Sequence, residues 1–177
     1  MSRADKTGLI HIYCGDGKGK TTAAVGLAVR CAGGGGNVLF FQFLKGNRSG
    51  ERAVMKNIDG IDLWDGPEDI KFVWNMTEKE KAEMREYYRE KFNELRAAAP
   101  DHDMLVLDEV IPALKYGFID TEELLRFFTE KPQGLELVLT GRDPDERLVE
   151  AADYVTEMKK IKHPFDRGIA MRKYIEL

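Results

Sequence analysis

Gly15-Asp16-Gly17-Lys18-Gly19-Lys20-Thr21 carries the strongest chemical signal in the sequence. Glycines let a backbone fold tightly, so that several N–H groups point at one anion. A short apolar run precedes this segment and an Ala/Val/Leu-rich run follows it, the strand–loop–helix setting that a phosphate-binding loop requires. The positive end of the following helix adds to the anion site. Lys20 can reach phosphate oxygens, the Thr21 hydroxyl can ligate Mg2+, and Thr22 continues the helix start. The plain alternative is a glycine turn between strand and helix, and Gly-Lys-Thr at the helix start favours the phosphate reading. The loop departs from the usual G-x-x-x-x-G-K-[ST]. Cys14 stands where that pattern has its first glycine, and Lys18 is an additional cation. A tighter, more cationic loop can seat a triphosphate differently from an ordinary one.

A second signal is Leu105-Val106-Leu107-Asp108-Glu109, an apolar run ending in two acids. At the carboxyl edge of a parallel sheet such a carboxylate faces the Mg2+ of the loop. Alone the pattern is weak, because strands often end in a solvated acid. Beside the loop it reads as a metal site made by Thr21 and Glu109, with Asp108 as a further candidate.

These residues need elements to position them. Leu9–Tyr13, Val38–Phe43, Ile61–Trp64, Met104–Leu107, Leu135–Thr140 and Asp153–Met158 read as strands. Between them, helices are expected from Lys20 up to the glycines at 33–36, over Glu51–Asn57, Thr77–Ala99, Glu122–Thr129 and Pro144–Ala152. Thr77–Ala99 is the clearest, with Thr77 and Glu80 as a capping box and Met84, Tyr88, Phe92, Leu95 and Ala99 as one apolar stripe. Tyr87 and Tyr88 read as packing, Asp120 with Glu123 as a cap, and the chain from Lys159 as irregular. Strands apolar on both faces and alternating with helices give a doubly wound α/β domain, with a mostly parallel sheet and helices on both faces, spanning 1–177.

Composition narrows the function. The 177 residues are 43% hydrophobic and 33% charged, an ordinary globular mix. With 27 basic and 31 acidic residues the formal charge is −4, which argues against nucleic acid as a partner. Two cysteines, Cys14 and Cys31, make neither a disulfide scaffold nor a zinc site. No apolar run approaches a membrane span, and the segment MSRADKTG shows no signal peptide. A cytoplasmic, reduced protein without a membrane partner is expected. The residues alone therefore give a Mg2+–nucleoside triphosphate α/β protein. A small-molecule kinase, with Glu109 as base, and a nucleotide-switched regulatory ATPase both remain open.

GDGKGKTTAA, FQFLKG, GER, LDEV, TGR, AADYVTEM and KHPFD-x-G occur in this order. Together they resemble the ATP:corrinoid adenosyltransferases of the single-domain P-loop type, from about Ile10 onward. The resemblance implies a P-loop NTPase fold of RecA-like type. It also implies transfer of the 5′-deoxyadenosyl group of ATP to the Co(I) of a reduced corrinoid, with release of triphosphate. It assigns Gly15 through Thr22 to the nucleotide, Lys18 and Lys20 to its phosphates, and Thr21 with Glu109 or Asp108 to Mg2+. Arg142, in TGR, would reach phosphate or ribose, or else cap a surface turn. Phe72 and Trp74 match aromatics that wall the lower face of the corrin in the family, where they ease reduction of Co(II). In an extended segment F-x-W puts both rings on one side, although by residue type alone such alternation is ordinary core. Gln42, Lys45, Glu51 and Arg52 lie in the family's second-strand loop, where they would bind the nucleotide or the corrinoid, Glu51 and Arg52 equally suiting helix-start charge, and His163 lies at a dimer or nucleotide edge. The ending AMRKYIEL differs from the family's, so no contact of the tail is carried over. A homodimer and an electron donor, a flavin or flavoprotein, are the further partners implied.

Overall fold

Six short strands pair into one all-parallel sheet in the order β3-β2-β4-β5-β1-β6. They are β1 Ile10–Cys14, β2 Val38–Gln42, β3 Ile61–Leu63, β4 Met104–Asp108, β5 Glu136–Thr140 and β6 Tyr154–Glu157. The computed structural model describes residues 7–176, so most of the leader-free segment expected at the start lies outside the described residues. The central strands β2 and β4 are buried at every residue, because helices cover both faces; all but their last residues, Gln42 and Asp108, meet an apolar layer. The edge strand β6 is exposed throughout.

The pleat divides the core in two. Leu39, Phe41, Leu105, Leu107, Leu137 and Leu139 share one cluster with residues of α3 Glu78–Ala98, α4 Val110–Lys115, α5 Thr121–Glu130 and α6 Glu146–Ala151. Val38, Phe40, Val106 and Val138 share the other with Ala24 and Ala28 of α1 Lys20–Gly33 and Met55 of α2 Gly50–Met55. The doubly wound α/β sheet expected from the sequence is thus observed.

In α3, Tyr88, Phe92 and Leu95 are buried as the stripe requires, and both halves of the Thr77/Glu80 capping box form. The Tyr88 ring packs in the core, and its hydroxyl also accepts from Leu44 N at 2.8 Å.

Three local expectations are corrected. A helix, α4, directly follows the acids of β4, and the sequence had hidden it behind Pro112. That proline stands in the first turn, where no N–H partner is needed. Gly141 fits against α4: its φ is 148°, and a Cβ there would lie 2.5 Å from Pro112 Cδ. Asp120 caps α5, but through Glu122 N at 2.8 Å, so the helix starts at Thr121. The F-x-W segment is not extended, for Val73–Asn75 is a single 3-10 turn. A second such turn, Pro164–Arg167, interrupts the irregular final segment.

Candidate active site

β1 delivers the glycine loop to the carboxyl edge of the sheet, and α1 begins within it at Lys20. The loop is braced from outside. Gly17 N donates to Met158 O at 2.6 Å, and a Cβ on Gly17 would lie 2.6 Å from that same oxygen. Only glycine allows the approach. Asp16 is tied to the same segment, accepting from Lys160 N at 2.9 Å, and that N–H holds its carboxyl below the usual range. Lys20 is buried, and its ammonium donates to Gly15 O and Gly17 O, each at 2.8 Å. Burial, then the Arg142 guanidinium, pushes the Lys20 pKa down.

A cavity of about 740 Å3 opens over this loop. Asp16, Gly17, Lys18, Gly19, Lys20, Thr21 and Thr22 form one wall, and Lys45, Glu51, Glu109, Arg142 and His163 form others. Arg142 with His163 also borders an adjoining hollow that contains Phe165. Of Gly15 to Thr22 and Arg142, all but Gly15 stand in the wall, and Gly15 serves as an acceptor for Lys20; Gln42 and Arg52 do not line it.

Beneath Thr21 lies a buried polar network. Asp108 has no exposed surface. Its carboxylate accepts from Thr21 Oγ1 at 2.9 Å, Thr140 Oγ1 at 2.6 Å, Gln42 Nε2 at 3.1 Å and Lys45 Nζ at 2.8 Å. Thr140, at the end of β5, also accepts from Glu109 N at 2.8 Å. One hydroxyl therefore sets both acids, because β5 lies between β1 and β4. Glu109 adopts φ 58° at the start of α4, a left-handed backbone that turns it from Asp108 toward the cavity. Burial first, and the Asp108 charge second, pushes its pKa up.

Gln42 and Arg52 are buried within this framework. Arg52 donates to Gln42 Oε1 at 3.1 Å, Trp64 O at 3.0 Å and Asp65 Oδ1 at 2.6 Å. It is a brace of the second-strand loop, whereas Lys45 and Glu51 reach the cavity. Phe72 and Trp74 are not brought into that cavity. They stack on each other, centroids 4.6 Å apart and planes 8° from parallel, and are 62% and 71% exposed. That exposure overturns the ordinary-core reading of the pair. Tyr174, Ile175 and Glu176 also line the cavity, and no motif or spacing points to them. The Arg172 guanidinium holds the Glu176 carboxyl down at about 2.

Among the described residues no three His, Cys, Asp or Glu side chains converge on a metal position. The oxygen donors present, the Thr21 hydroxyl with the Asp108 and Glu109 carboxylates, suit a hard ion that takes its remaining ligands from phosphate and water.

A glycine loop braced between β1 and α1, with acids at the end of β4, defines an α/β protein of the P-loop NTPase type. A solved structure titled "The cytoplasmic domain of EssC" shares this fold, with a TM-score of 0.54 at 15% identity. The match covers 93% of this chain and 34% of that one, about a third of its length. The family model "ATP:corrinoid adenosyltransferase BtuR/CobO/CobP" matches residues 6–177, and the chain belongs to that family. A Corrinoid adenosyltransferase of a Sinorhizobium species is 38% identical, covering 99% of this chain and 83% of the relative. That of Escherichia coli K12 is 34% identical over 93% and 83%. In Salmonella typhimurium the Corrinoid adenosyltransferase CobA is 31% identical over 97% and 87%.

Proposed function

We propose that this protein transfers the 5′-deoxyadenosyl group of ATP to the Co(I) centre of a reduced corrinoid and releases inorganic triphosphate. The observation that carries this reading is the family match, which runs through every wall of the cavity above the glycine loop. In the reaction, cobalt supplies an electron pair to the ribose 5′ carbon. The C5′–O bond breaks, and its pair departs with the triphosphate. The corrinoid brings the nucleophile, so the chain must align the two substrates and stabilise charge on the leaving group. Lys18, Lys20 and Arg142 supply cations to the triphosphate, and the loop amides Asp16 to Thr22 cradle it. Thr21, Asp108 and Glu109 hold Mg2+, which adds positive charge to the phosphates when bound.

The stacked Phe72 and Trp74 form an apolar floor for the lower face of the corrin. By excluding an axial donor they make Co(II) easier to reduce by a flavin or flavoprotein. The enzyme works as a homodimer in the cytoplasm. Among the described residues no helix is long and apolar enough to cross a membrane.

The deciding measurement is the product. With ATP, Mg2+ and chemically reduced cobalamin, triphosphate should form in proportion to adenosylated corrinoid. ADP or free phosphate in that proportion would overturn the reading.

A further inference from the structure

Lys45 bonds the same two oxygens that a divalent ion at this loop would use. Its ammonium donates to Thr21 Oγ1 and to Asp108 Oδ2, each at 2.8 Å. Thr21 gives its own proton to Asp108, at 2.9 Å, so its lone pairs face the lysine. A fully buried carboxylate is costly unless a cation pairs with it, and Lys45 is the cation paired with Asp108. Gln42 and Thr140 add hydrogen bonds to this carboxylate but no charge.

Lys45 also has a way out. Its side chain is 30% exposed and stands in the cavity wall. Leu44 before it has φ 54°, is held at its N–H by the buried Tyr88 hydroxyl, and gives the chain a fixed pivot; Gly46 follows. Mg2+ sits roughly 2.0–2.1 Å from its oxygen ligands, closer than an ammonium hydrogen-bonded to the same atoms. On Thr21 Oγ1 and Asp108 Oδ2 the two cations would stand side by side and repel each other strongly.

We propose that Lys45 is an internal counter-ion that keeps the metal seat closed until nucleotide arrives. Free Mg2+ is held off, and the metal enters with ATP. The triphosphate supplies the negative charge that draws the Lys45 ammonium away, and Asp108 exchanges one cation for another without ever being unpaired. This rests on the reading of Thr21 and Asp108 as metal ligands.

Mn2+ without nucleotide is the probe, followed by electron paramagnetic resonance. Lys45→Met should bind Mn2+ at least about tenfold more tightly than the parent, since one close positive charge is gone. Lys45→Arg should stay near the parent. In the parent itself, acylation of the Lys45 amine, read by mass spectrometry, should rise along the Mn2+ binding curve. Lys45→Met binding no more tightly than the parent would overturn the proposal, and so would Lys45→Arg matching Lys45→Met. Mn2+ binding to the parent with no change in Lys45 labelling would overturn it too, whatever the stability of the variants. None of these readouts involves adenosyl transfer, so their failure is separable from a failure of the product analysis above.

Discussion

Phe72 and Trp74 face each other and stand mostly in solvent, which lets two roles be separated by measurement. Exposed rings leave no cavity when truncated, so Phe72→Ala and Trp74→Ala should each change unfolding free energy by no more than about 0.5 kcal/mol. MgATP binding should be unaltered, because neither ring lines the cavity over the glycine loop. Activity should fall sharply when the assay starts from Co(II) with a mild reductant. It should largely return when a strong chemical reductant supplies Co(I). Equal losses in both assays would remove the pair from the reduction step. At this scale the sequence was most legible where residue type dictates chemistry, as in the loop and in Asp108-Glu109. It was least legible where chemistry depends on partners. Nothing in the letters of Gln42, Lys45 and Thr140 says that they converge on one carboxylate. Only the resemblance pointed to the loop holding the first two.

One carboxylate ties the segment carrying those rings to α3, besides the burial of Val73 and Met76 in the core. Glu80 accepts from Lys71 Nζ, and from Thr77 N at 2.8 Å as its half of the capping box. The Lys71 ammonium first, then the Thr77 N–H and hydroxyl, hold the Glu80 pKa at about 2, against an ordinary 4.5. A pKa depressed in the folded state gives stability that is present above the unfolded value and is lost as pH falls through the folded one. The tether should therefore hold at pH 5 and fail between pH 4.5 and about 2. Trp74 emission, read in a Trp64→Phe background, should shift over that window. In Glu80→Gln it should have the shifted value already at neutral pH. Thr77→Ala should cost about 1 kcal/mol in chemical denaturation through loss of the cap. Identical pH curves for parent and Glu80→Gln would show that the tether does not hold the rings. The box, the stripe and the central strands were legible because each is written in local spacing. The α4 helix was not, because Pro112 reads as a breaker unless its place in the first turn is known. The turn at Val73–Asn75 was missed for a similar reason, since two aromatics with one residue between them suit a strand equally well.

At the scale of the molecule, the last described residues return to a loop formed near the beginning of the chain. Tyr174, Ile175 and Glu176 stand in the same cavity wall as Lys18. The Glu176 carboxylate brings a negative charge to a place where a triphosphate would bind. Glu176→Gln should therefore bind inorganic triphosphate about 2–5-fold more tightly, the scale of one exposed charge interaction, with no change in melting temperature. Calorimetry with the free anion tests this, and weaker binding would show that Glu176 assists the phosphates rather than opposing them. The strand order could not be read from the sequence, because parallel neighbours are chosen by crossovers and not by periodicity. That order ties β1 to its neighbour from far along the chain, as in the 2.8 Å bond from Ile10 N to Asp153 Oδ2 across 143 residues. At a synthesis rate of about 5–20 residues per second, the ribosome needs roughly 7–30 s to make that stretch. β1 is thus enclosed only after that whole stretch has been made. During that interval the glycine loop lacks the Met158 carbonyl that braces it, so the braced loop exists only once the chain beyond β6 has been made.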